Sequence, residues 1–556
     1  MAHPLLLPNI LDNIFCNFSL LDLKLLRLVN LDWNHAACIA ISKQNIIKFY
    51  SSIDLKSYQA IFNQSIVHPH TSFNFHYKIA DMRDSQEVKN FFENFNFHEH
   101  IRSLSLTIGG DFLSFKDLMH VLRLVPNLEW LGIRFHYFKC PELEEENCVA
   151  EITPLLSLRC INIEVQSYDD CWNSTTNLIC SIAKAAPHLA KIHHPMFCVP
   201  PTKCRITSQM NIYLTELVLE ESLTSSLAYL NFIIKLNNDN IRTLMRKNYP
   251  LKNLYINMWY PDDEELCVTA KSLTDLLSQL SPTLEKLGLD FPWRREVAYE
   301  FKFQFPIKTL QYLSLSGFQG SLVGLLNKLP NLSSIELSQV DLFEILPASQ
   351  IVRNYPTVCK LRLDFCIHQV AGAMSRLSRI FPNLRSLCLN HASDEICRMI
   401  FKKMLNLTYL RLRGDDLTDE GITGIPAEIA KENNLINCPM EKGVALRCFS
   451  FVGDLPKLRE LKLEAYRLTE ACIKHGIVHC MNLQFVSMDT TLDKNDPSTI
   501  VTRTFRLSEY GKKLLAGDKE VTLILQQEVE VDEDEDAEKF FRMYETTGMV
   551  TDLLLA

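Results

Sequence analysis

The densest grouping of chemically versatile side chains in the 556-residue sequence is His193, His194, Cys198 and Cys204. Two imidazoles and two thiols are a zinc donor set. The C-x5-C spacing, with Pro200 and Pro201 inside it, is not a standard zinc pattern, and 16 His and 18 Cys bring some neighbours together by accident. A long loop is the expected structure there. No P-loop, G-x-G-x-x-G, H-E-x-x-H or G-x-S-x-G occurs. The chain is expected not to be an enzyme and to need no cofactor or metal.

A second set of residues suits binding rather than reaction. Bases and a tyrosine alternate with apolar residues in Lys360, Arg362 and Asp364, in Tyr409, Arg411 and Arg413, and in Glu460, Lys462 and Glu464. What positions them is a repeat. The pattern L-x-x-L-x-L, with Ile, Val or Met tolerated, starts at Ile101, Leu128, Leu158, Leu214, Leu251, Leu284, Leu310, Leu332, Val358, Leu384, Leu407, Leu458 and Leu483, with a degenerate copy at Leu189. Between Leu310 and Leu407 the steps are 22, 26, 26 and 23 residues. Proline precedes many copies (Pro126, Pro330, Pro382, Pro456), ending one helix and opening the turn into the next strand.

This period and pattern resemble the leucine-rich-repeat family. The resemblance implies an α/β solenoid, with a curved parallel sheet inside and helices outside. The fourth and sixth residues of each motif point inward along a strand, and no single repeat can bury its apolar faces alone, so neighbours must stack. Leu417-Thr418-Asp419-Glu420-Gly421-Ile422 is similar to the helix start of the cysteine-containing class, and Cys366 falls at that class's ladder position, where it can satisfy loop backbone groups. The 51-residue step from Leu407 to Leu458 holds either a lost repeat around Leu446, Phe449 and Phe451 or an insertion around Gly424 to Ala445.

Motif positions three, five and seven face away from the core and line the concave sheet. Lys360, Arg362, Tyr409, Arg411 and Arg413 are therefore candidate substrate-binding residues. Strands stand about 4.8 Å apart, which sets Arg362 and Arg411 roughly 10 Å apart across one strand. Such bases suit an acidic or phosphorylated protein segment. The alternative is that they pair with Asp364, Asp415 or the chain's own acidic tail. Trp130 and Tyr255, with loop residues Trp259 and Trp293, offer a competing uncharged site.

The N-terminal stretch from Leu5 to Trp33 holds 18 apolar residues in 29, more than a bundle of that size can cover. Helical spacing joins Ile10, Leu11, Ile14, Phe15 and Phe18; Ser19 and Asp22 mark a second start, and a third helix is expected from Asp32 towards Tyr50. Leu7-Pro8, Leu11, Ile14-Phe15, Asp22-Leu23, Val29 and Trp33 resemble the F-box, a small three-helix module. Pro8 lies one residue nearer Ile14 than in that family, and Asn30 stands where a Cys is usual. The resemblance implies that Leu7, Pro8, Ile10, Leu11, Ile14, Phe15, Leu23, Leu28, Val29 and Trp33 bind a ligase adaptor protein. A helical cap on the repeats would use the same apolar surface.

The net charge of −9 comes mainly from eight acids between Glu528 and Glu538, and the rest of the chain sits near −1. With no basic tract, no nucleic-acid partner is expected. No run reaches the roughly 18 apolar residues of a membrane helix, and the N-terminus lacks the basic start of a signal peptide. The scattered cysteines suit reduced thiols and a cytoplasmic or nuclear place. The sequon Asn406-Leu407-Thr408 has its Leu at a core position and is expected to carry no glycan. The expected organisation is an F-box module over 1–50, a linker or degenerate first repeat over 51–100, the solenoid over 101–495, and a cap with acidic tail over 496–556. An F-box followed by such repeats implies the substrate-recognition subunit of an SCF-type ubiquitin ligase, with an adaptor, a cullin scaffold and a protein substrate as partners. The alternative is a ligase-independent scaffold or inhibitor.

Overall fold

The computed structural model describes residues 11, 14–15, 18–44, 47–49, 72–75, 101–108, 115–135, 154–165, 172–193, 214–215, 217–219, 226–257, 268–291, 303–346, 353–364, 366, 371–433, 443, 445–465, 467–493 and 496–506. The chain divides into two units, with the boundary between Tyr255 and Ile256.

The first unit opens with helices α1 (Leu20–Leu26) and α2 (Leu31–Gln44). Ser19 caps α1, its Oγ accepting from the Asp22 amide at 3.2 Å. Asn30 does the same for α2, its Oδ1 accepting from the Trp33 amide at 2.9 Å, so the residue that departs from the family pattern supplies a helix cap. Leu11, Phe15, Leu23, Ala36, Ala37, Ala40 and Ile41 form a buried core, with Leu26 and Trp33 packed against it. The third helix stops at Gln44 instead of running towards Tyr50. Strand β1 (Ile47–Phe49) follows, its β-branched and aromatic residues fitting an extended ladder better than a helix.

Strand β1 pairs in parallel with β2 (Ser72–Phe75), and β2 with β3 (Ser103–Ile108). The sheet continues through α3 (Phe115–Arg123), β4 (Trp130–Phe135), β5 (Cys160–Val165), α4 (Trp172–Ala185), β6 (Lys191–His193), β7 (Tyr229–Lys235), α5 (Asn238–Lys247) and β8 (Asn253–Asn257). The register keeps Leu104, Leu131, Ile161, Ile192 and Leu230 in one buried line. The degenerate copy at Leu189 is thus a working repeat, with its strand at β6. The copy at Leu214 is not. Leu214, Leu217 and Val218 lie in helical backbone and are buried, a spacing of three and four that makes one helix face. The strand is formed further on, from the copy Leu227-Leu230.

The second unit runs α6 (Ala270–Leu280), β9 (Lys286–Asp290), β10 (Tyr312–Ser316), α7 (Leu322–Leu326), β11 (Ser334–Ser338), α8 (Leu342–Ile345), β12 (Lys360–Asp364), α9 (Ala371–Ile380), β13 (Ser386–Asn390), α10 (Asp394–Lys403), β14 (Tyr409–Arg413), α11 (Asp419–Thr423), α12 (Ala427–Glu432), β15 (Glu460–Glu464), α13 (Glu470–His475), β16 (Phe485–Asp493) and β17 (Asp496–Arg506). Strands β9 to β16 pair in parallel, each with the next, and β17 returns antiparallel to β16. Inward residues are shut from water along this unit's sheet: Leu287, Leu313, Ile335, Leu361, Leu387, Leu410, Leu461 and Val486. Burial of each is worth about 1.5–3 kcal/mol. The fold is an α/β leucine-rich-repeat solenoid, as its period implies.

Polar ladders finish what the leucines start. The side-chain amides of Asn331, Asn383 and Asn406 donate to the carbonyls of Lys308, Pro356 and Pro382 in the preceding repeats at 2.7, 3.1 and 3.0 Å. Asn406 also accepts from Lys457 at 2.7 Å, so the amide of the sequon is spent on the ladder. The thiol of Cys366 reaches the Leu337 carbonyl at 3.4 Å, as its ladder position implies. Burial pushes that thiol up to about 12 and the Cys160 thiol likewise to about 12, so both behave as small hydrophobes. Asp394 accepts from the backbone N–H of Thr418 at 2.8 Å and from its hydroxyl at 2.6 Å; Asp419 repeats the device with Thr469.

The long step before Leu458 is an insertion, since β14 pairs directly with β15, Tyr409 opposite Glu460. Leu446, Phe449 and Phe451 form no strand. Phe449 lies under the Arg398 guanidinium at 3.7 Å and Phe451 under that of Arg447 at 3.7 Å.

Two glycines test this packing with opposite signs. A Cβ at Gly421 would collide with the Asp394 side chain, whereas one at Gly372, exposed in α9, meets nothing within 4 Å. Gly421→Ala should lower stability by about 1–3 kcal/mol through overpacking. Gly372→Ala should raise it by about 0.5–1 kcal/mol through helix propensity. Urea unfolding of the two variants beside the parent checks both; equal shifts would mean that α11 is not held against Asp394.

Candidate protein-binding surfaces

Three surfaces stand out, and each is set by the element beneath it. The first is apolar. With Leu11, Phe15 and Leu23 turned into the helical core, Ile14, Phe18, Leu25, Leu28, Val29 and Leu31 are left outside. Leu28 and Leu31, in and after the turn between α1 and α2, are 82% and 85% exposed. Phe15 fixes the ridge from below, edge-on to Phe18 at 6.0 Å and to Trp33 at 5.4 Å. Of the residues that the family resemblance assigns to an adaptor, Ile14, Leu28 and Val29 lie where an outside partner can touch them. Leu11, Phe15 and Leu23 are buried and hold the module together. Trp33 is half-buried against the core. Leu7, Pro8 and Ile10 lie outside the described residues. Phe18 and Leu25, which helical spacing places on apolar stripes, and Leu31 are not among the residues the resemblance assigns to an adaptor, yet all three are exposed.

The second surface is the outward face of β10 to β15. In register, one row reads Tyr312, Ser334, Lys360, Ser386, Tyr409 and Glu460. The next reads Ser314, Glu336, Arg362, Cys388, Arg411 and Lys462. The expected bases are thus brought onto one face with Tyr409, and the three arginines have acids beside them. Arg362 lies between Glu336 and Asp364, 3.6 Å from each. Glu336 also accepts from the Tyr312 hydroxyl at 2.6 Å, and Asp364 from Asn390. Arg411 grips Glu464, Nε at 2.7 Å and a terminal nitrogen at 2.6 Å, while Arg413 reaches the same carboxylate only at 3.9 Å. Acids are interleaved with the three arginines on this face, while Arg411 and Lys462 stand side by side in register. Glu336, one repeat upstream of the bases, was the unread partner. Burial raises the Tyr409 hydroxyl, which therefore stays protonated. Burial likewise raises the Cys388 thiol against the pull of Arg411 and Arg362, so it is no activated nucleophile.

The third surface is the outward face of β4 to β8 in the first unit. Trp130 folds over Gly132, where a Cβ would strike its ring. Beside it run Asn162, His193 and Asn231 in register. Asn253 donates to Asn231 at 3.1 Å, and Lys191 stands 4.6 Å from the Tyr229 ring. Tyr255 is buried on β8. The aromatic pair expected from sequence, Trp130 and Tyr255, therefore flanks a row of amides. Trp259, Trp293, His194, Cys198 and Cys204 lie outside the described residues. Among the described residues no group of three or more His, Cys, Asp or Glu could hold a metal ion, and no helix is long and apolar enough to cross a membrane.

The charge ladder makes a graded prediction. The Arg411 side chain is 24% exposed on a Glu464 side chain 21% exposed, while that of Arg413 is 58% exposed. Arg411→Ala strips a half-buried carboxylate of its close partner and should cost about 1–2 kcal/mol in denaturant unfolding. Arg413→Ala should stay within about 0.5 kcal/mol of the parent. Equal losses would mean that the ladder is not organised around Arg411.

No family model and no curated protein matches the sequence. Among solved structures, the chain is similar to one in the crystal structure of the Rad7 and Elc1 complex in yeast, with 14% identity over 83% of this chain and 90% of that one and a TM-score of 0.32.

Proposed function

We propose that this protein is the substrate-recognition subunit of an SCF-type ubiquitin ligase. The N-terminal helices dock on the adaptor, the adaptor joins them to a cullin scaffold, and the inner sheet face carries a protein substrate. The observation that carries this reading is the ridge of Ile14, Phe18, Leu25, Leu28, Val29 and Leu31, exposed on a module whose own core is already closed. Leucines beyond 80% exposed at one turn stabilise nothing in the free protein; a partner gains from burying them. The F-box resemblance of the same segment supports an adaptor as that partner. The protein itself lowers no chemical barrier: its part is to hold the substrate near a ubiquitin-loaded enzyme, and the rate gain is proximity.

The test separates contact from folding. Leu28→Asp combined with Leu31→Asp changes side chains 82% and 85% exposed, so the melting temperature should not move. Two leucines buried on an adaptor are worth about 1.5–3 kcal/mol each, so adaptor and cullin capture by the tagged protein should fall at least about 100-fold. Undiminished capture, or no capture by the parent, would make the helices a cap on the repeats and the protein a ligase-independent scaffold.

A further inference from the structure

The inner sheet faces of the two units treat their polar side chains differently. In the second, Glu336, Asp364 and Glu464 all have partners. In the first, Asn162 and Asn253 are 9% and 6% exposed, and the Oδ1 of each accepts no hydrogen bond. Asn162 stands on β5 at an outward motif position, and so does Asn253 on β8. A buried carbonyl oxygen without a donor lowers stability, and a leucine in place of Asn162 would bury without that penalty, whereas one in place of Asn253 would also take the donor from Asn231. Each is an acceptor sealed from solvent, which a partner's N–H completes only when the side chain turns out onto the sheet face.

The surroundings narrow what arrives. Asn162, His193 and Asn231 follow one another across β5, β6 and β7, and Asn253 joins through its bond to Asn231. At about 4.8 Å per strand, Asn162 and Asn231 stand roughly 10 Å apart, the reach of about three extended residues. A primary amide offers a carbonyl and an NH2 side by side, so it can accept from one backbone N–H and donate to one backbone carbonyl of a passing strand. Two rings border the row on one side, Trp130 folded over Gly132 on β4 and Tyr229 two residues before Asn231 on β7. Lys191 and Lys252 lie 4.6 and 5.7 Å from the Tyr229 ring centroid. The asparagines carry no charge, so they read a backbone and not an acidic or phosphorylated side group.

We propose that the row Asn162–Asn231–Asn253, bordered by Trp130 and Tyr229, grips the backbone of an extended, uncharged segment of a protein partner. This rests on the reading that the inner sheet face carries the substrate, and it moves the first contact from the charged ladder to the first unit.

The experiment is selection of a phage-displayed random dodecapeptide library on the immobilised full-length protein, then anisotropy titration of one enriched peptide, synthesised with a fluorophore. Uncharged sequences should be enriched. The peptide should bind Asn162→Leu at least tenfold more weakly than the parent, while that variant melts at the same temperature or a few degrees higher. A merely structural asparagine would show the reverse. A lower melting temperature of Asn162→Leu overturns the proposal. It is also overturned by no enrichment, by equal binding to parent and variant, by acidic peptides whose binding depends on Lys360 and Lys462, or by an oligothymidylate that binds through Asn162. The Leu28→Asp/Leu31→Asp variant should bind the peptide as the parent does, so failure at the adaptor and failure here are read separately.

Discussion

The register of the inward leucines decides everything else in this molecule. A strand shows alternate residues to alternate faces, so a slip of one residue in any repeat would turn its leucines to water and its polar residues to the core. Leu361 opposite Leu387 and Leu387 opposite Leu410 fix β12, β13 and β14 against one another. Once they are fixed, Arg362, Cys388 and Arg411 have no choice but to stand in a row on the other side. The surface chemistry is thus displayed by a core that has no part in it.

The same constraint makes the outward rows independent of one another in composition, and the two units use that freedom differently. The second fills its rows with charges that meet across strands, as Arg362 meets Glu336 and Arg411 meets Glu464. Such pairs nearly cancel, and exposed ones contribute little stability. The first sets amides among its rings and charges and leaves two carbonyls without donors. Local conflicts of this kind, where a cheaper residue would fit, are where function is found in natural sequences.

Legibility in the sequence followed the same division. The repeat, its period, the parallel sheet and the outward positions of Lys360, Arg362 and Tyr409 were readable because leucine spacing is a direct image of register. Leu214-Leu217-Leu219 misled because L-x-x-L fits a helix face as well as a strand entry, and only pairing with a neighbour decides between them. The third helix was drawn too long for a similar reason, as nothing local says that Ile47 will find Phe73 beside it. The F-box residues were legible as a set, but their division into core (Leu11, Phe15, Leu23) and surface (Ile14, Leu28, Val29) needed three dimensions. Which charges pair was hidden because Glu336 and Arg362 are 26 residues apart in sequence and adjacent only across strands.

The central question is whether the exposed ridge of the N-terminal helices meets an adaptor directly. Native mass spectrometry of the purified full-length protein mixed with purified adaptor at micromolar concentration answers this without a cell. A one-to-one complex, extended to one-to-one-to-one when the cullin is added, is the predicted result. Only the two free masses, at concentrations where each protein is folded, would contradict it.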